Sequence, residues 1–221
     1  MLAPLAVSFL FDEVENLTID SAIPIAKYTA TTHRDTGDHD AITAPFIGSI
    51  TIKGDAKRNI AGVLEANIIA MDPLATLGIG KVTVANFLRN ADVTARGNIG
   101  SITVGGMQNV HLIAGRGGQT PLFPDSLNDL NDFTLKSVSV KGVAGSAFSF
   151  LNTIIASKTL GSVSLTGVQT NNASTSFGIV ADKLASFKAT PPSASLPPLK
   201  KLDTAIDDAT PGGDDFIVHV L

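Results

Sequence analysis

The sequence predicts an all-β fold, a right-handed parallel β-helix (solenoid) of about seven or eight irregular coils with loop insertions. Three observations carry that expectation. A six-residue phrase recurs along the chain, a second phrase ending in alanine recurs between its copies, and the two keep their order while their spacing varies.

The first phrase is clearest as Ile99-Gly100-Ser101-Ile102-Thr103-Val104. It also reads Val14–Ile19, Ile47–Ile52, Ile79–Val84, Leu135–Val140 and Leu160–Leu165, with eroded copies at Leu184–Ala189 and Leu199–Thr204. The phrase alternates, so Ile50 and Ile52 share one face of a strand while Ser49 and Thr51 share the other. The glycine in second position fits a tight corner that needs permissive backbone angles. Further glycines at Gly54, Gly105, Gly142 and Gly167 close the far end.

The second phrase reads Ala41–Ala44, Asn67–Ala70, Asp92–Ala95, His111–Ala114, Thr153–Ala156 and Gly178–Ala181. Its second residue and its alanine are expected to point inward. From alanine to alanine the intervals are 26, 25, 19, 42 and 25 residues. Such variation does not suit a left-handed hexapeptide coil, whose turn holds a strict length of about 18 residues. The hairpin dipeptides Asn-Gly and Asp-Gly are missing, so two strands per period stack as parallel coils about 4.8 Å apart.

Departures from the period read as loops over 20–41, 55–66, 115–134 and the Pro/Ser-rich 190–198. The chain is expected to form a single domain, 1–221: an opening coil at 1–46, regular coils at 47–189, and a C-terminal coil and cap at 190–221. A cap is needed because an open solenoid end offers its backbone to other chains. The apolar run from Met1 to Phe11 reads as the start of the first coil. It has no preceding Lys or Arg, and its 11 residues fall short of a bilayer span.

The [Ile]-Gly-Ser-[Ile/Val]-[Thr/Ser]-[Val/Ile/Leu] phrase, with its later [Ile/Val]-x-Ala, resembles the β-strand repeats of large secreted or surface-exposed bacterial proteins, adhesin-like in make-up. The likeness covers residues 14 to 204. It implies an extracellular location and a solenoid shape, and carries over no catalytic residue.

Composition agrees with thin stacked layers. Charged residues are 16% and aromatics 5%, with no Trp, one Tyr and 20 Gly, so the core must be built from Val, Ile, Leu and Ala. A net charge of −4 provides no field for nucleic acid or anionic lipid. Cysteine is absent, which excludes disulfides, thiolate metal sites and a Cys nucleophile.

Four groups of residues merit a functional reading. Ser49, Thr51, Ser101 and Thr103 would form a flat outward lattice able to meet a regular ligand such as a glycan, although Ser and Thr are also ordinary solvent-side strand residues. Arg58 and Arg89 each precede an asparagine, at Asn59 and Asn90, and could grip an acidic sugar; an asparagine ladder at a coil corner explains the alignment equally well. Asp35, Asp38 and Asp40, with His33 and His39, could supply some of the roughly six to eight oxygens that Ca²⁺ takes. Their spacing fits no calcium loop, and a solvated polar loop is the simpler reading; no other cofactor is expected. Finally, Ile69, Ile113, Ile155 and Val180 are expected to face outward, beside Thr43 and Thr94. Such an apolar strip is covered either by the chain's own loops or by another protein or a second copy.

Catalysis is not expected. Glycosidases need two facing carboxylates at about 5–10 Å, and the predicted strand faces carry few acids. The expected function is a non-catalytic structural or adhesive module; the alternative is a polysaccharide-binding or polysaccharide-cleaving helix resembling pectate lyases or polygalacturonases. Neither reading involves nucleic acid or membrane insertion.

Overall fold

The computed structural model describes residues 5–37, 40–116, 130–190, 207–209 and 215–221, with backbone alone at 207–209. All regular structure in them is β. The first part of the chain supplies β1 (Val7–Leu10), β2 (Glu13–Glu15), β3 (Ile19–Asp20), β4 (Ile25–Ala30), β5 (Thr32–Arg34) and β6 (Ala41–Ala44). The middle of the chain forms β7 (Ile47–Ile52), β8 (Asn67–Ala70), the long β9 (Leu77–Ala95) and β10 (Asn98–Ala114). There follow β11 (Thr134–Val140), β12 (Phe150–Leu151), β13 (Ile154–Ala156), β14 (Thr159–Thr166), β15 (Phe177–Ala181) and β16 (Lys183–Thr190). The last strands are β17 (Asp207–Ala209) and β18 (Phe216–Val220).

Apart from β2 and β5, which pair with each other, and antiparallel β17, these strands pair in parallel into a large sheet. Its first stack runs β1, β4, β7, the start of β9, the start of β10, β11, β14 and β16. Its register places Ile25, Ile47, Ile79, Ile99, Leu135, Leu160 and Leu184 in one column. Successive members of the column are therefore from 20 residues apart, between Ile79 and Ile99, to 36, between Ile99 and Leu135. Two further buried columns, one through Ile50, Val82, Ile102 and Val138 and one through Ile52, Val84, Val104 and Val140, complete the inner face of this stack.

The alanine-ending phrase forms another stack, β3, β6, β8, the ends of β9 and β10, β13, β15 and β18. Between these two lies a third stack that the two-strand period did not foresee. It passes through β2, β5, Leu64, Leu88 of β9, Met107 of β10, β12 and Val168, and its inward column is Val14, His33, Leu64, Leu88, Met107, Phe150 and Val168. Its separate pieces are too brief to show a period: β2 and β5 have three residues, β12 has two, and Leu64 and Val168 pair through single bridges. In the last coils the aliphatic ladder gives way to Phe150, Phe177, Phe187 and Phe216, with ring centroids 5.5–6.2 Å apart. Antiparallel β17 lies along β18 there.

Four expectations are corrected. Val14–Ile19 is not the first copy of the hexapeptide: Val14 belongs to the third stack and Ile19 to the alanine stack. The true first members are β1 and β4, the latter hidden in the expected loop 20–41 as Ile25-Ala26-Lys27-Tyr28-Thr29-Ala30. The glycines at Gly48, Gly80, Gly100 and Gly161 lack left-handed backbone angles; a Cβ on any of them would fall 2.0–2.4 Å from a carbonyl oxygen of the preceding coil. Close approach, not turn geometry, selects glycine there. The copy at Leu199–Thr204 and the loop 190–198 lie outside the described residues, apart from Thr190 itself.

The fourth correction is Ile155. It pairs with Leu112 and Ile179 in the inward column and is fully buried, while Ala156 takes the outward place between Ile113 and Val180. Continuing the register sets Ser157 opposite Ala114 and Ala181, and its buried hydroxyl donates to the Phe133 carbonyl at 2.9 Å. A satisfied serine fits the alanine column, so the coil slips by one residue relative to the alanine alignment.

Candidate functional site

The outward face of the first stack holds the Ser/Thr lattice in register. Ser49, Lys81, Ser101, Ser137, Ser162 and Ser186 form one row; Thr51, Thr83, Thr103, Ser139, Ser164 and Lys188 form the next. Ser49, Thr51, Ser101 and Thr103 are partly exposed, and Ser162, Ser164, Lys81 and Lys188 are exposed. Rows two residues apart along the strands and about 4.8 Å apart across them make a grid of Ser and Thr interrupted by Lys81 and Lys188.

Arg58 and Arg89 do not meet. Arg58 lies on a hairpin closed by the Asp55–Ile60 bridge, and it reaches back to the first coil. Its Nη1 donates to Asp12 Oδ2 at 2.8 Å and its Nε to Asp55 Oδ2 at 2.7 Å, with Glu13 at 3.3 Å. The guanidinium holds the Asp12 and Asp55 carboxyls below their ordinary range, chiefly through these hydrogen bonds. Arg89 lies on the third stack, 3.5 Å from Glu65 and over the Phe87 ring. Each arginine is thus held by the protein's own carboxylates.

The asparagines beside them do form a ladder. Asn109 donates to Asn90 at 2.9 Å, Asn152 to Asn109 at 3.0 Å, and Asn172 to Asn152 at 2.9 Å. Asn90, Asn109 and Asn152 have left-handed φ of 49°, 53° and 40°, a conformation asparagine tolerates better than most residues. Asn59 is also left-handed but lies on the hairpin, outside this series of bonds.

In the acidic segment, Asp38 lies outside the described residues. Asp35 accepts from the Gly37 and Asp40 backbone amides. Asp40 Oδ2 accepts from the Leu17 amide at 2.8 Å and from His33 Nε2 at 3.0 Å. A carboxylate that only accepts places a proton on Nε2, and in the neutral ring Nδ1 then accepts from the Tyr28 hydroxyl, 2.8 Å away. Tyr28 and His33 are fully buried, and Asp40 nearly so. Burial, helped by the negative charge on Asp40, raises the Tyr28 phenol above its ordinary pKa. This Tyr–His–Asp chain resembles an acid–base relay in its order of groups, but inside the core it joins the first coil, at Leu17, to the second. Reading His33 as a loop residue missed it; the isoleucine-led pattern around the chain's one tyrosine was the available signal.

Of the outward apolar strip, Ile113 and Val180 are buried with Ile154, Ala156 and Leu130, a residue of the 115–134 insertion. Leu221 packs against the same cluster. Ile69 stays partly exposed between Thr43 and Thr94.

A groove lies outside the third stack. Glu13 and Glu15 of β2 and Thr32 and Arg34 of β5 form its floor, and Asn59 and Ile60 of the hairpin overhang it, around a volume of 310 Å³. Arg58 holds the overhang in place through Asp12 and Asp55.

Comparison with family models, with curated proteins and with solved structures finds no match to this chain.

Proposed function

We propose that the chain is a right-handed parallel β-helix serving as a non-catalytic structural or adhesive module of a secreted or cell-surface bacterial protein, with a glycan as the ligand of its Ser/Thr face. The observation that carries this is the register of Ser and Thr side chains from Ser49 to Ser186, interrupted in one row by Lys81 and ended in the other by Lys188. A rigid grid repeating about every 4.8 Å suits a repeating polymer better than a compact molecule. Right-handedness rests on the crossover rule, which parallel strand connections obey in about 98% of cases.

The cleaving alternative draws on Glu13 and Glu15 beside Arg34 in the groove. It is the weaker reading. The two glutamates sit on one strand and hence on one side of the groove, whereas glycoside hydrolysis places its carboxyls on both sides of the scissile bond. Glu13 is also engaged by Arg58.

A glycan array, repeated with Ser101→Lys/Thr103→Lys, tests the proposal. Expected is polysaccharide retention by the parent, loss in the variant, and no shortened product on incubation. Absence of any retained glycan removes the adhesive reading, and product formation replaces it with the enzymatic one.

A further inference from the structure

We infer that the groove under the 55–60 hairpin is a binding site for a small zwitterion of amino-acid size, whose ammonium meets Glu15 and whose carboxylate meets Arg34. Glu15 and Arg34 are register partners, directly opposite on neighbouring parallel strands. Backbones there are about 4.8 Å apart, close enough for the two side chains to pair. They do not: Glu15 Oε1 instead accepts from the Thr36 hydroxyl at 3.2 Å, and Arg34 makes no ion pair among the described residues. Two opposite charges thus lie side by side in a concave site with their mutual pairing unmade.

The surroundings favour a ligand carrying both signs. Glu13 adds a second carboxylate to the floor, so a simple anion meets more negative than positive charge. A simple cation leaves the Arg34 guanidinium unmatched. The floor is rigid on both sides. Beneath it His33, between Thr32 and Arg34, is anchored to Tyr28 and Asp40. Beside it the Thr32 hydroxyl donates to the Val63 carbonyl at 3.2 Å. Asn59 and Ile60 form the overhang, the amide offering a further hydrogen bond and the isoleucine an apolar contact. The volume of 310 Å³ sits at the lower end of ligand-site sizes, which run about 300–1,000 Å³.

The test is an NMR titration of the full chain with glycine, L-lysine, acetate and glucuronic acid, following the amides of Glu15, Thr32, Arg34 and Asn59. Expected are saturating shifts with glycine and lysine up to ~10 mM, a range matching weak millimolar binding. Acetate and glucuronic acid, which lack the ammonium, should give no saturation. Arg34→Gln and Glu15→Gln, each checked for an unchanged circular dichroism spectrum, should weaken binding roughly tenfold. Absence of saturation with both amino acids overturns the inference, as does equal binding by the two variants. Saturation with glucuronic acid alone also overturns it and moves the groove to the polysaccharide reading. None of these results depends on whether the Ser/Thr face binds glycan.

Discussion

The carbonyl oxygen of Gly80 lies where a side chain on Gly100 would begin: a Cβ built on Gly100 falls 2.1 Å from it. Gly80 meets Gly48 in the same way at 2.3 Å. Successive coils therefore touch backbone to backbone along this column.

Gly100→Ala should destabilise the fold by about 1–3 kcal/mol, the usual cost of overpacking a closed interior. The neighbouring Ser101→Ala removes an outward hydroxyl and should stay within about 0.5 kcal/mol of the parent. Urea unfolding of both measures the difference. Equal stability of the two variants would mean that the coils have room to spare at Gly100.

Asn109 sits in the middle of the corner ladder, bonded to Asn90 and Asn152, with a φ of 53°. Two contributions can be separated there. Asn109→Gly keeps the left-handed backbone accessible and loses only the exposed hydrogen bonds, about 0.5–1.5 kcal/mol. Asn109→Ala should cost about 1–2 kcal/mol more, because a Cβ disfavours that backbone. The expected order of urea midpoints is parent, glycine, alanine; alanine above glycine contradicts the left-handed corner.

Much of the first stack was legible in the sequence because its repeats are six residues long and strongly alternating. Ile50, Val82 and Ile102 fall in one buried column, as their pattern implied. The third stack was not legible, since Leu64 or Val168 alone carries no period. Tyr28 hid β4 by placing a polar aromatic where β7, β9, β10, β11 and β14 carry Ile or Val. Ile155 was misassigned because Ile154-Ile155-Ala156-Ser157 reads equally well in two registers, and only the neighbouring coils decide between them. The groove depends on the Arg58–Asp12 contact across 46 residues, which no local pattern announces.

The two registers of that coil differ in a measurable way. Ile155→Ala should cost about 2–5 kcal/mol, as for truncation of a fully buried isoleucine. Ile69→Ala, at a partly exposed outward position, should cost less than half as much. A small loss at Ile155 would mean that its side chain is not packed between Leu112 and Ile179, and thermal unfolding of the pair measures it.

Tyr28 makes the fold sensitive to high pH. Its folded-state pKa is raised above the unfolded value of about 10, first by burial and then by the Asp40 charge. The neutral phenol is therefore the form that stabilises the fold. Its contribution is complete below about pH 10 and is lost as pH rises from there toward the folded-state pKa, by up to about 1.4 kcal/mol per pH unit. Tyr28→Phe removes this titration together with the hydrogen bond to His33, so it should be less stable at neutral pH yet lose less between pH 10 and 11 than the parent. That range begins at the ordinary phenol value of about 10. Lysine titration is common to both proteins and cancels in the comparison. Because the chain has one tyrosine and no tryptophan, its tyrosinate absorbance reports this group alone. The absorbance should stay flat until unfolding begins and then rise with it; a smooth titration near pH 10 in folded protein would place the Tyr28 hydroxyl in water rather than against His33.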